Sequence, residues 1–269
     1  MKKFVKILAV VMAVVLSATL LYACGGKDSG DSTTAPAQSD ASQTEAPAAT
    51  NGKLIMATNA TFPPYEYYEG DKIVGIDAEI GALIAEKLGM EFEIKDMDFN
   101  GILGAVQNGI ADIGMAGMTV KPDRLEQVNF STSYAKGVQV VIVKEGSDIA
   151  SIDDLAGKKI GVQEATTGDA YATEDFGEEN VKRYTNGAAA VAALQNGAVD
   201  AVIIDNEPAK AFVAENEGLT ILETAYADED YAIAVAKENT ELLEKINAAL
   251  AELTADGSIK AIVDKYIPA

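Results

Sequence analysis

The sequence predicts a two-lobed α/β protein. Short apolar strands alternate with amphipathic helices along most of its 269 residues, the order expected of parallel sheets covered by helices. A unit also returns: residues 103–124 read LGAVQNGIADIGMAGMTVKPDR and residues 191–205 read VAALQNGAVDAVIID, so Gln107, Asn108, Gly109 and Asp112 reappear as Gln195, Asn196, Gly197 and Asp200, 88 residues later. Each copy is an apolar helix end, a Gln-Asn-Gly stop of the kind closed by a left-handed glycine, and an Asp leading into a short strand. Two similar half-molecules are implied, and an apolar content of 48% supplies both with cores.

In order, residues 53–59 (KLIMATN) read as a strand running into a loop, ATFPPY, that Pro63 and Pro64 hold extended. A turn at Glu69-Gly70-Asp71 precedes a helix capped by Asp77, with Ile80, Leu83, Ile84 and Leu88 on one face and Gly89 at its end. A strand at 91–96, a helix at 99–108 and a strand at 112–116 complete the first unit, and the apolar run GVQVVIVK at 137–144 leaves it as a buried strand. The second series has strands at 159–163 and 181–184, a helix after Gly168, the echoed helix and strand to Asp205, and a helix from Asn206. YAIAVA at 231–236 reads as one buried strand. Two helices follow, the first with Leu242, Leu243, Ile246, Leu250 and Leu253 on one face and the second near 258–265; periodicity leaves open which unit they cover.

The amino terminus has a different character. Lys2, Lys3 and Lys6 precede an apolar run at 7–21, too short to span a bilayer and of secretory-signal type. It ends Leu21-Tyr22-Ala23-Cys24, which resembles a bacterial lipobox, so Cys24 is expected to carry lipid. As the sole Cys it leaves no disulfide within the chain. Residues 25–52 contain no Leu, Ile, Val, Phe, Met or Tyr and read as a flexible tether spanning on the order of 30 Å. The net charge of −21, with no basic stripe, argues against nucleic acid as a partner; the scattered acids read as a solvated surface. With no His and no spaced Asp/Asn loop, no metal site and no cofactor is expected.

In open α/β sheets ligands sit beyond the carboxyl ends of the strands, so the two echoed strands deliver Gly117, Met118 and Thr119 on one side and Asp205 on the other to a cleft between lobes. Arg124 offers a planar fork suited to a carboxylate, Thr119 a hydroxyl, and the helix opening near Pro122 a positive dipole end. Asp205, helped by the Gly117 carbonyl, suits an ammonium. Together they describe a zwitterion. The same residues have plainer readings: Arg124 in KPDRLEQ as a surface residue beside an acid, Asp205 as a helix cap, Phe62 and Phe99 as core.

Residues 53–269 carry a more specific likeness in ATNATFPPYEY, VGIDAEI, DFNGILGAVQNGIADIGMAGMTVKPDR, VNFSTSY, GVQEATTGD and VDAVIIDN. With these motifs in this order the chain resembles the family 3 extracellular solute-binding proteins of polar amino acid ABC transporters. The resemblance implies a flytrap fold with two hinge crossovers, near residues 134–138 and 230–232, and the tail back on the first lobe. The implied organisation is a leader at 1–23, Cys24 and tether at 24–52, lobe 1 at 53–136 plus 232–269, and lobe 2 at 137–231. It also implies a free amino acid as ligand, permease subunits as partners, and an extracytoplasmic location at the cell membrane through the Cys24 lipid.

By position, the resemblance puts Arg124 on the ligand carboxylate with Thr119 and Thr167 in support, and Asp205 with the Gly117 carbonyl on the amino group. Phe62 and Phe99 would sandwich the side chain, with Asn59, Gln163 and Thr166 near its polar end. Asn59 stands where the glutamine-binding and many basic-residue-binding members have Asp, and Ile204 where the glutamine-binding protein has His. A cationic tip would then need a carboxylate from Glu66 or Glu164. GVQEATTG resembles the arginine-binding members, so the ligand is expected to be neutral polar or basic. Two other classes use this scaffold: a cyclohexadienyl-dehydratase-like enzyme, disfavoured by the lack of His, of a free Cys and of any catalytic base–nucleophile set, and a ligand-sensing partner of a signalling protein.

Overall fold

The computed structural model describes residues 52–268 apart from residue 224; the leader, Cys24 and nearly all of the tether lie outside the described residues. The first half of the chain runs β1 (Lys53–Thr58), β2 (Thr61–Phe62), β3 (Glu66–Glu69), β4 (Lys72–Val74), α1 (Ile76–Leu88) and β5 (Glu91–Asp96). A single 3-10 turn, Phe99–Gly101, then leads into α2 (Ile102–Gln107), β6 (Ile113–Gly114), α3 (Pro122–Gln127) and β7 (Val128–Phe130). The second series is β8 (Ala135–Lys144), β9 (Ile160–Gln163), α4 (Thr167–Phe176), β10 (Val181–Tyr184), α5 (Gly187–Gln195), β11 (Ala201–Asp205), α6 (Asn206–Glu215), β12 (Leu219–Ile221) and β13 (Ala227–Tyr231). The chain closes with β14 (Ala234–Ala236), α7 (Thr240–Ala255) and α8 (Ser258–Tyr266).

Two sheets organise two lobes. The first has the order β5-β1-β6-β14-β7 and the second β10-β9-β11-β8-β12, with β13 also on β8. Their central strands run parallel, β1 beside β5 and β6 and β9 beside β10 and β11, while β14 and β8 enter antiparallel. Both sheets are buried on both faces. Along β1, Leu54 and Met56 join one apolar cluster and Ile55 and Ala57 another; along β8, Val140 and Ile142 alternate in the same way with Val141 and Val143. The closing helices α7 and α8 pack on α1 of the first lobe, with Lys87 paired to Glu252 at 2.8 Å.

The sequence echo has a structural cause. Gly109 and Gly197 take positive φ of 67° and 73° and end their helices. Asp112 accepts from the Ile55 amide at 2.7 Å and returns its own amide to the Ile55 carbonyl at 2.8 Å. Asp200 does the same to Lys159, at 2.8 and 2.7 Å. Each Asp thus locks the start of its strand onto the neighbouring parallel strand, which needs a carboxylate at that one position in both lobes.

Three expectations are corrected. Asp77 does not cap α1: Gly75 holds that position, and Asp77 is buried inside the first turn with its carboxylate turned beneath the sheet ends. The loop at Pro63 and Pro64 is a turn rather than an extended run, closed by the Tyr65 amide on the Phe62 carbonyl at 2.9 Å, with a cis bond between the prolines. It belongs to a small antiparallel meander, β2-β3-β4, whose very short strands carry no readable period. Residues 231–236 are two strands, because the chain changes sheet there: Tyr231 pairs with Ala135 of β8, whereas Ala234 pairs with Gly114 and Phe130. That change of sheet at 232–233, and the passage at 131–134 into β8, are the two crossovers. They lie side by side, the Tyr134 amide donating to the Tyr231 carbonyl at 3.0 Å.

Candidate ligand-binding site

A cavity lies between the lobes, about 440 Å³ with its open mouth included. All ten residues singled out from the sequence line it. Asn59 follows β1, Phe62 lies in β2, Phe99 opens the turn before α2, Gly117 and Thr119 follow β6, and Arg124 lies in α3. From the other lobe come Gln163 at the end of β9, Thr166 and Thr167 at the start of α4, and Asp205 at the end of β11. Ile204 and Glu66 line it too, whereas Glu164 is exposed and lines a separate small pocket with Asp98 and Asn100.

Arg124 is buried, with 5% of its surface exposed. Its Nη1 donates to the Thr119 carbonyl at 2.9 Å, its Nη2 reaches across the cleft to the Ala165 carbonyl at 3.1 Å, and its guanidinium sits 5.4 Å from the centre of the Phe99 ring. Burial lowers its pKa, yet a guanidinium stays charged. Among the described residues no carboxylate forms an ion pair with it, so the plainer reading of a surface residue beside an acid fails. A buried cation lacking a counter-ion is costly, and the arrangement is completed by an anion entering the cavity.

The Ala165 turn is built to meet it. Ala165 adopts φ 63°, the sole positive φ outside glycine among the described residues. Its amide donates to Asp169 Oδ2 at 3.0 Å, and Asp169 is gripped in turn by Arg183 Nε at 2.9 Å. Thr166 caps α4: its Oγ accepts from the Asp169 amide at 3.2 Å and donates to the Gln163 carbonyl at 2.8 Å. Thr167, at the first helical position, keeps a backbone N–H without an intrahelical acceptor.

The opposite charge gathers around Asp205. It occupies the first position before α6 but makes no capping bond; instead Tyr231 donates its hydroxyl to Asp205 Oδ1. Burial, with the nearby Glu229 charge, pushes its pKa up to about 7. Gly117 lies at φ 53°, and a Cβ there would stand 2.7 Å from Phe62 Cε1, so ring and backbone meet at a distance that glycine allows. The Gly117 amide donates to Asp77 Oδ2 at 3.0 Å, and Tyr134 donates its hydroxyl to the same oxygen at 2.8 Å. Burial raises the Asp77 pKa to about 6 against the pull of those two donors.

Sequence reasoning missed a polar layer beneath these groups. Glu229, buried, accepts from Thr119 Oγ at 3.0 Å and from Gln139 Nε2 at 3.1 Å, and Gln139 Nε2 also lies 3.3 Å from Thr167 Oγ. In this closed arrangement the Thr119 hydroxyl proton is therefore spent on Glu229. Gln139 did carry a signal, being a polar residue between Val138 and Val140 in the middle of a buried apolar strand. At the other end, Gln163 Nε2 donates across the cleft to Asn59 Oδ1 at 3.0 Å, while Asn59 Nδ2 donates to the Met97 carbonyl at 2.9 Å. Glu66, adjacent to Asp77, is 1% exposed, with one carboxyl oxygen unpartnered; burial, with the Asp77 charge, raises its pKa well above the ordinary value.

The profile of the bacterial extracellular solute-binding proteins, family 3, matches residues 54–269. The chain belongs to that family. Among this family 3 protein's relatives, the arginine-binding extracellular protein ArtP of Bacillus subtilis is 34% identical over 80% of this chain and 86% of its own. The ABC transporter glutamine-binding protein GlnH of the same organism is 30% identical over 97% of each chain. A solved structure of an ancestral arginine-binding protein bound to glutamine superposes with a TM-score of 0.78 at 41% identity, covering 82% of this chain and all of that one. These relatives are binding proteins, and the family is an extracellular one.

Proposed function

We propose that this family 3 protein binds a free L-amino acid between its lobes and hands it to the permease of an ABC transporter, held at the outer face of the cell membrane by lipid on Cys24. The observation that carries the reading is the charge layout of the cavity: a buried Arg124, in no ion pair among the described residues, stands across from the carboxylate of Asp205. A zwitterion answers both. Its carboxylate goes to the Arg124 fork and the Thr167 amide, its ammonium to Asp205 and the Gly117 carbonyl, and its side chain between Phe62 and Phe99 toward Asn59 and Gln163.

The cavity's single cation selects the side chain. Glu66 and Asp205 line the cavity together with a single cation, Arg124, which the ligand carboxylate occupies. An acidic side chain would add a charge with no cationic partner left, so a neutral polar or basic amino acid fits. Relatives named for arginine and for glutamine both lie in that range. The relatives are named as binding proteins, which supports the reading of a binding protein rather than an enzyme. A thermal-shift panel of the common L-amino acids tests it: a ligand at about 100 times its dissociation constant stabilises by ~2.7 kcal/mol, an easily seen shift. No shift with any of them overturns the proposal. Palmitate labelling of the cells, lost in Cys24→Ala, tests the anchor.

A further inference from the structure

A buried tyrosine stands at each crossover, Tyr134 closing the first and Tyr231 directly preceding the second, and the two are neighbours: the Tyr134 amide is bonded to the Tyr231 carbonyl. Both point a hydroxyl at a buried carboxylate. Tyr134 donates to Asp77 Oδ2, the oxygen that also holds the Gly117 amide, and Tyr231 donates to Asp205 Oδ1. Those two carboxylates govern the two halves of the ammonium pocket, one on each lobe. The path of Tyr231 is specifically cleared. Its ring crosses the face of Gly137 on β8, where a Cβ would lie 2.3 Å from the phenol oxygen, and rests edge-on against Tyr65 at 5.2 Å between centroids. Burial keeps both phenols well above their ordinary ionisation range, so they remain donors.

We propose that Tyr134 and Tyr231 are positioning residues that tie the ammonium acceptors of the cleft to its two crossovers, so that seating the ligand ammonium sets the crossover geometry of the closed state. The inference rests on the amino acid reading given above and adds the means by which one end of the ligand reaches the moving part. In the closed state Tyr231 anchors Asp205 on one lobe from the second crossover. Tyr134 anchors Gly117 on the other lobe, through Asp77, from the first. A ligand ammonium bridging Asp205 and the Gly117 carbonyl joins the two chains of bonds. The ligand carboxylate reaches the second crossover by a different route, Arg124 donating to the Thr119 carbonyl and Thr119 pairing through its backbone with Tyr231, which the loss of either phenol hydroxyl leaves in place.

The test uses pairs of ligands that differ only in the amino group: L-arginine with guanidinovalerate and L-glutamine with glutaramate, titrated by calorimetry into the wild type, Tyr231→Phe and Tyr134→Phe. The wild type should prefer at least one amino acid over its des-amino partner. In Tyr231→Phe that preference should shrink roughly tenfold, the weight of a charge-assisted hydrogen bond, with affinity for the des-amino ligand held within about twofold. Tyr134→Phe, acting through Asp77, should shrink it roughly threefold. An unchanged preference in both variants, or an equal loss for both members of a pair, overturns the inference while leaving the amino acid reading intact. If the wild type binds neither, the tightest binder of the thermal-shift panel and its des-amino partner take the place of these pairs; a wild type that binds no amino acid of the panel overturns that reading and the inference with it. Should Tyr231→Phe not fold, Tyr134→Phe carries the same test alone.

Discussion

The two copies of the Gln-Asn-Gly…Asp unit share a scaffold and part company at its tip. In both, a glycine at positive φ ends the helix and an Asp clamps the next strand to its parallel neighbour through a pair of hydrogen bonds. Beyond that the first lobe gives up its strand after Gly114 and spends the following residues on a loop and a short helix that bring a cation, Arg124, to the cleft. The second lobe extends its strand to Asp205 and places an anion at the very end. The repeated residues build the frame, and the unrepeated ones set the chemistry, so damage to the former should cost stability and damage to the latter should cost binding.

The sharpest separation comes from Arg124→Ala. Removing one partner of a buried, hydrogen-bonded charge pair costs about 3–5 kcal/mol, so amino acid affinity measured by calorimetry should fall by at least about a hundredfold. Retained affinity would move the anion site elsewhere. Next in size is the pH dependence carried by Asp205. Its carboxylate, pushed up to about 7, is protonated below that pH, and the proton competes with the ligand ammonium for the same oxygens. Affinity should therefore rise with pH and level off, differing roughly tenfold between one unit below and one unit above that value. Asp205→Asn should flatten the profile, and a flat wild-type profile would contradict the assignment.

Smaller effects probe the frame. Asp112→Ala and Asp200→Ala should each lower unfolding free energy by about 1 kcal/mol in denaturant melts, more for the less exposed Asp112. A loss confined to one lobe would break the equivalence of the two copies. Ala165→Gly should do the reverse, raising stability by about 0.5 kcal/mol as relief of left-handed strain outweighs the freer unfolded glycine.

The frame was legible because its signals are local. Gly89, Gly109 and Gly197 each end a helix, and the 91–96 and 181–184 strands fall at their expected bounds. The meander of β2 to β4 was not, since strands of two to four residues around a Pro-Pro turn show no alternation. The division of 231–236 was hidden by continuous burial: every residue is apolar on both sides of the sheet change. In the site, strand-end placement and the family likeness picked residues that line one cavity, but the allocation of their protons was invisible. Thr119 gives its hydroxyl proton to Glu229 and Thr166 gives its own to the Gln163 carbonyl, while the Asn59 carbonyl oxygen is occupied by Gln163. Glu229 looked like surface because it sits between exposed acids; only the two-residue spacing to Tyr231 puts it inward.

The central claim is that a zwitterion is held between Arg124 on one lobe and Asp205 on the other. Its most direct test is calorimetry of the purified protein with the tightest binder of the L-amino acid panel and with its two truncated analogues, one lacking the carboxylate and one the amine. The account predicts that each truncation weakens binding by roughly a hundredfold or more, because each leaves a buried charge unanswered. An analogue that binds as tightly as the parent amino acid would contradict it.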